Sequence, residues 1–372
     1  MDLNFYFNIY IKQAFAISFV LSFFLIWFGT KAFKLKEVVR EELGHKKKQN
    51  GIGTSSGLVF GFLFLSIINL FSGNYFLSIC IFLFLFIIGF IGKRVFSKIG
   101  FSILFISIIS IYFLNYSLLK SPFRHESTLI TSSLFLILIL GFFDDMSKLN
   151  YGKGLKEKIL FLFQSLIALI PTIYNISKKK SYIQLLTYKF ELGYFYIPFG
   201  VLVFNSCVNS ANLTDGLNGG LGFSSIVIFL FFIVHSLKIF FTNSSFLIPI
   251  YNHNYILFSV VIIGCLIPFL FFNMINKTMM GNIGSMFIGA LIANMAMMMK
   301  SELLLPLNCI VLVIETTSVI IQQTFYKKFK KRLFLFTPIH HHFELLGWSN
   351  KKIVSLMTFV SIIGCSIAII FI

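Results

Sequence analysis

The sequence predicts an all-α polytopic membrane protein, and three observations carry that reading. Of the 372 residues, 57% are hydrophobic and only 12% are charged, about half the charged share of a soluble domain. Apolar runs of about 17 residues or more recur from end to end, and about 20 such residues cross a bilayer as a helix. Lys and Arg gather in the short segments between the runs, as they do on the inner face of membrane proteins. No soluble domain, low-complexity linker or internal repeat interrupts the pattern, so residues 1–372 are expected to form one integral-membrane domain.

Twelve spans are expected, near 13–30, 57–72, 75–92, 100–119, 128–143, 158–176, 195–209, 221–241, 255–272, 284–299, 303–323 and 353–371. Lys31 and Lys34 follow the first run without a small-residue cleavage site, so it reads as a retained span and not a signal peptide. Placing the N-terminus outside puts Lys31, Lys34, Lys36, Arg40, Lys93, Arg94, Lys98, Lys148, Lys153, Lys156, Lys277 and the cluster from Lys327 to Arg332 in inside loops, with most of the 31 basic residues. The formal charge of +18 then belongs to loops facing an anionic leaflet, together with phosphate ligands. No nucleic-acid partner is needed to explain it. The five cysteines lie in or beside apolar runs without metal-ligand spacing and read as small buried hydrophobes.

With that topology every polar cluster falls on the cytoplasmic side. Of four aspartates, Asp144, Asp145 and Asp215 sit at inner span ends. Acids near a membrane interior cost several kcal/mol and are usually functional. Asp144 and Asp145 are either a solvated helix end or a cation site, because adjacent like charges are relieved by a cation and hard oxygens suit Mg²⁺ alongside substrate phosphates. Asn209, Asn212 and Asp215 recur every three residues and share one edge of a helix. Gly216, Gly219, Gly220 and Gly222 follow and allow a sharp turn or close approach to a ligand. In PIHHHFELLGW, His340, His341 and His342 cannot all point one way. They are either interfacial histidines without chemistry or groups that bind phosphate and orient a substrate. Zinc is disfavoured for want of a Cys-x-x-Cys or His-Glu-x-x-His pattern. Lys327 to Arg332 either serve a polyphosphate or form a positive-inside flank. Together these parts fit phosphoryl transfer at a membrane surface.

In this order, GFFDDMSK, KGL at 153–155, NSANLTDGL, FN at 272–273, ETTSVIIQ at 315–322 and PIHHHFELLGW resemble the polyprenyl-phosphate N-acetylhexosamine-1-phosphate transferase superfamily. The branch they match is that of the phospho-N-acetylmuramoyl-pentapeptide-transferases, over most of the chain from about residue 33. The resemblance implies ten membrane helices with a cytoplasmic-facing cleft, to which the apolar runs in 75–119 add two. It implies transfer of phospho-N-acetylmuramoyl-pentapeptide from its UDP donor to undecaprenyl phosphate, giving lipid I and UMP with Mg²⁺, at the bacterial inner membrane. The expected partners are that donor, undecaprenyl phosphate, the bilayer and a second copy of the chain as a homodimer. By the same resemblance Asp144 and Asp145 are the paired acids, Lys148 and Lys153 lie near phosphates, and Asn212 and Asp215 form the polar helix end. Asn273 is then a nucleoside contact, Gln322 lies near the donor, and His340 to His342 are the family histidines.

The chain departs from the family pattern. Asn282 stands where the family has a metal-binding Asp, so the expected ligands are Asp144, Asp145 and Asn282, with reduced affinity. Asn218 replaces a second Asp, Met279 an aromatic, and Leu335 a basic residue. The loop from Asn273 to Gly281 is one residue short, and GTPTMGG reads GIGTSSG at 51–57. Three other readings therefore stay open: a related transferase using another UDP-sugar, a degenerate non-catalytic homologue, and a transporter.

Overall fold

The computed structural model describes residues 3–32, 124–186, 188–242 and 248–372. The expected spans 57–72, 75–92 and 100–119, with the proposed extra pair in 75–119, lie outside the described residues, as do GIGTSSG and Cys80. The described chain is almost entirely helical. The helices are α1 (Leu3–Ala32), α2 (Arg124–Tyr151), α3 (Glu157–Ser177), α4 (Tyr196–Thr214), α5 (Gly220–Thr242), α6 (Ile248–Met274), α7 (Gly281–Met299), α8 (Leu305–Asn308), α9 (Ile310–Phe329), α10 (Ile339–Leu345) and α11 (Asn350–Ile370). Apart from 303–323, every expected span that falls on described residues overlaps one of these helices. Among the described residues, six helices are long and apolar enough to cross a membrane, or seven counting the bent segment around α9.

The bundle is built around α7, whose side chains from Ile283 to Met299 are all buried. A helix apolar on every side belongs in the middle of a bundle. It packs against α2 and α4, while α5 joins α6 and α11, and α1 lies along α6. Two glycines let backbones meet. A Cβ on Gly289 would strike the Cys207 carbonyl and come within 2.6 Å of Val208 Cα on α4, and one on Gly141 would come within 2.7 Å of Ile283 Cα. Small residues at such crossings are how helices pack tightly in lipid, where no hydrophobic effect pulls them together. Met286, Phe287, Met295 and Met297 of α7 fill the core with Phe204, Phe229 and Phe232. Cys207, Cys265, Cys309 and Cys365 are buried and free, as the sequence suggested.

Three features correct the expected layout. The helix holding the acids does not stop at residue 143. It continues to Tyr151, because MSKLNY is polar but still helix-forming. At 28 residues α2 is about 42 Å long, longer than a hydrocarbon core of about 30 Å. The run at 303–323 is not one straight span, since Glu302–Asn308 meets α9 at 84°. Pro306 heads the short α8 and Cys309 leaves helical geometry, while Gly364 of α11 closes on Leu307 and Ile310 at the corner. Finally, an antiparallel hairpin, β1 (Tyr182–Leu185) with β2 (Tyr188–Glu191), interrupts the all-α pattern.

The end of the bundle carrying this hairpin buries two acids, each with a lysine and a tyrosine. Glu126 meets Lys180 at 3.2 Å and accepts from Tyr255 at 3.0 Å. Glu302 accepts from Tyr196 at 2.6 Å and lies 3.5 Å from Lys300. Burial pushes the Lys300 ammonium down to about 8 against the opposing pull of Glu302. Buried charges are tolerated when paired in this way.

Gly289→Leu is expected to lower stability by at least the upper end of the roughly 1–3 kcal/mol typical of overpacking, because the obstacle is α4 backbone. Thermal unfolding in detergent checks this, with Leu202→Ala, exposed on α4, expected within about 0.5 kcal/mol of the parent.

Candidate active site

The opposite end of the bundle brings together the ends of α2, α4, α6, α7 and α9, and there the acid pair, the α4 asparagines with the turn after them, the α7 start at Asn282 and the histidine loop meet. The arrangement starts from α7. Its N-cap position is Met280, which supplies no side-chain cap, and Gly281 enters at φ 69°, a conformation open to glycine. The missing cap comes from α2. Asp145 accepts the backbone N–H groups of Asn282 at 3.2 Å and Ile283 at 3.1 Å, one on each oxygen. A carboxylate there satisfies donors the helix leaves unpaired and faces the positive end of its dipole.

Asp144, one residue earlier, is held from three sides. Its Oδ1 accepts the Leu155 N–H at 2.7 Å, and its Oδ2 accepts from the Asn282 side-chain amide. Lys148 lies 3.2 Å from Asp144 Oδ2 and 3.6 Å from Asp145 Oδ1. These pairs are i,i+4 and i,i+3, so they exist because α2 runs on past the acids. The KGL motif wraps this carboxylate. A Cβ on Gly154 would lie 2.6 Å from Asp144 Oδ1. Lys153 contributes its carbonyl to Ser147 Oγ at 3.0 Å while its side chain is exposed at the rim.

The three residues expected to ligate a metal are thus in mutual contact. Two carboxylates and the Asn282 amide meet there; Asp144 Oδ1 and Asp145 Oδ2 each hold one hydrogen-bond donor and retain a lone pair, whereas Asp144 Oδ2 holds both the Asn282 N–H and Lys148. The set fits Mg²⁺ bound mainly through one or two carboxylates, with other ligands from water or phosphate. Among the described residues no group of three or more His, Cys, Asp or Glu side chains is arranged to hold a metal. The Asn282 amide presently turns its N–H toward Asp144.

The expected polar edge of α4 divides between neighbours. Asn209 pairs with Gln164 of α3 at 3.0 and 3.5 Å. Asn212 accepts from Ser285 of α7 at 3.0 Å, and Asp215 follows the last residue of α4. The turn to α5 is stapled by Asn273, which accepts the Gly219 N–H at 2.6 Å and donates to the Thr278 carbonyl at 2.8 Å. Asn218 donates to Asn276 in the same loop. Gln322 accepts the Leu333 and Phe334 N–H groups, each at 3.0 Å, and donates to the Phe334 carbonyl at 3.2 Å. In this structure Asn273 and Gln322 are organisers of loops.

The three histidines take different partners, although the His340 and His341 rings lie 4.1 Å apart between centroids. His340 is buried, with Nδ1 2.9 Å from Glu315 Oε2 and its ring against Gly216. His341 is half-buried, 2.6 Å from Glu344. His342 accepts the Leu335 N–H at 3.2 Å through Nδ1. Glu315 was quoted in a motif but not singled out as a site residue. A lone acid inside an apolar run was the available signal.

Residues 127–300 match the model of glycosyl transferase family 4, a stretch from α2 through α7 that includes the acid pair, the α4 asparagines and Asn282. A phospho-N-acetylmuramoyl-pentapeptide-transferase of Clostridium botulinum (strain Eklund 17B / Type B) is 34% identical over 251 residues, covering 66% of this chain and 74% of that protein. The chain belongs to the family of the phospho-N-acetylmuramoyl-pentapeptide-transferases. The transferase so named in Wolbachia sp. subsp. Drosophila simulans (strain wRi) is 37% identical over 252 residues, covering 64% of this chain and 74% of its own length. That of Borrelia duttonii is 36% identical over 246 residues, covering 62% and 69%. Membership places the chain among the membrane-embedded phospho-sugar transferases of peptidoglycan synthesis.

Gly154→Ala is expected to leave the fold intact and lower transferase activity about 100-fold, the scale of a 1 Å displacement in a positioned site. Comparing melting temperature with turnover checks it; an unchanged rate would show that the KGL loop does not position Asp144.

Proposed function

We propose that the chain transfers phospho-N-acetylmuramoyl-pentapeptide from its UDP-linked donor to undecaprenyl phosphate, forming lipid I and releasing UMP, at the cytoplasmic face of the bacterial inner membrane. The observation that carries this reading is the acid pair. Two buried carboxylates sit at a helix N-terminus beside Lys148, a glycine turn and a histidine loop, inside a family of this activity. An oxygen of the lipid phosphate attacks the phosphorus that bears the sugar. A new P–O–P linkage forms, the bond to the bridging oxygen breaks, and that oxygen leaves on UMP.

Asp144, Asp145 and Asn282 are the residues that would hold Mg²⁺, which would neutralise charge on the diphosphate. The protein's own part is positioning and electrostatics, the usual substance of phosphoryl transfer. Asp145 fixes the α7 N-terminus at the site. Lys148 bridges both acids and supplies positive charge near the transferring group. The loops held by Asn273 and Gln322 shape the donor side, and Lys153 reaches phosphate from the rim.

A second reading, a non-catalytic homologue, is favoured by one observation: Asn282 carries no charge and gives an N–H to Asp144. A transferase assay on the purified chain in lipid, with both substrates and a Mg²⁺ titration, separates the two. We expect lipid I and UMP from the parent, none from Asp144→Ala, and about tenfold less Mg²⁺ for half-maximal rate in Asn282→Asp, since charge count tunes divalent affinity. Turnover restored only in Asn282→Asp would mean activity was lost at the metal. No product from either folded protein would reject the proposal.

A further inference from the structure

Glu315 is the most buried acid of the site end outside the paired aspartates, at 2% exposure on α9. A carboxylate so placed needs partners. Among the described residues they all lie in the histidine loop. Oε2 accepts the His340 backbone N–H at 3.3 Å and sits 2.9 Å from His340 Nδ1. No lysine or arginine approaches it among the described residues. The geometry fixes the ring: Nδ1 carries its proton toward Glu315, and Nε2 is turned to the opposite side.

That opposite side is the turn leaving α4. A Cβ on Gly216 would overlap His340 Nε2, so only glycine lets the ring approach. His340 is 1% exposed, yet Nε2 makes no hydrogen bond. Buried polar atoms are almost always bonded, and exceptions mark strain, function or an absent ligand. This one lies against Gly216, in a turn whose far end is held by Asn273.

We propose that Glu315 is a positioning residue for transfer. Through Nδ1 it holds His340 with Nε2 against the Gly216 turn, where the unprotonated nitrogen is ready to accept a hydrogen bond from a hydroxyl of the diphosphate donor. This rests on the functional reading above. It assigns the first histidine a different task from its neighbours. His341 and His342 hold their own loop, whereas His340 joins α9 to the α4–α5 turn.

The test compares Glu315→Met, which fills the space without an acceptor, with Glu315→Gln, which keeps an acceptor oxygen. Two readouts are taken on the full-length chain in lipid: kcat and KM for the donor, and nitrogen NMR of ¹⁵N-histidine-labelled protein, with His340 assigned through His340→Gln. Glu315→Met should redistribute the His340 proton from Nδ1 toward Nε2 and lower kcat about 10–100-fold, the scale for losing an outer partner that orients a ring, with KM changed less than threefold. Glu315→Gln should recover the parent nitrogen signals and most of the rate. A folded Glu315→Met with parental signals and kcat, or a folded Glu315→Gln that recovers neither, overturns the proposal. Should Glu315→Met not fold, Glu315→Asp, one methylene short, carries the same comparison. The nitrogen signals need no turnover, so a chain inactive in every form sinks the functional reading and leaves the positioning claim to be decided by NMR.

Discussion

The first turn of α7 has no cap of its own, and the carboxylate of Asp145 on α2 supplies one. Much of the site depends on that docking. It can form because Gly141 lets the α2 backbone come against Ile283, and because Gly281 turns the chain into the helix at positive φ. Once α7 is held there, Asn282 faces Asp144, and Ser285 one turn on reaches Asn212 of α4. A single capping interaction thereby orders residues from three helices, α2, α4 and α7. Within a bundle interior such a bond is stronger than at a wet surface, and leaving its donors unpaired is correspondingly costly.

The same docking shapes the chemistry. A carboxylate devoted to backbone N–H groups keeps its position whatever binds next to it. Asp144 is held by different groups: a side-chain amide, a loop N–H and a lysine that is 39% exposed. Lys148 already offsets the repulsion between the two acids, so the pair is stable before any metal arrives. A neutral Asn282 fits that arrangement, because a third carboxylate at this spot would add a like charge that Lys148 alone would not offset.

Much of this was legible in the sequence. Lipid forces every spanning segment to satisfy its backbone internally, so apolar runs located the described membrane helices well. Asp144, Asp145 and Asn282 were grouped by family resemblance, and the structure brings them into contact. Hydrophobicity reports depth in a bilayer and not helicity, so the polar continuation of α2 through Lys148 to Tyr151 was missed. The 84° corner before α9 was missed because its cause is Pro306 with packing against Gly364, a contact between distant segments. The pairing of Glu315 with His340 spans 25 positions and has no local pattern. Asn273 and Gln322 were assigned to ligands by resemblance, whereas their amides here are committed to loop backbone.

Hydrogen–deuterium exchange of the α7 first turn, in the parent and in Asp145→Ala, tests the central claim most directly. If Asp145 caps α7 from outside, the amides of Asn282 and Ile283 are protected in the parent. In the variant they should exchange roughly 5–30-fold faster, matching a cap worth about 1–2 kcal/mol, while the turn around Ala293 is unchanged. Equal exchange at Asn282 and Ile283 in the two proteins would contradict the account and detach the acid pair from the architecture built on it.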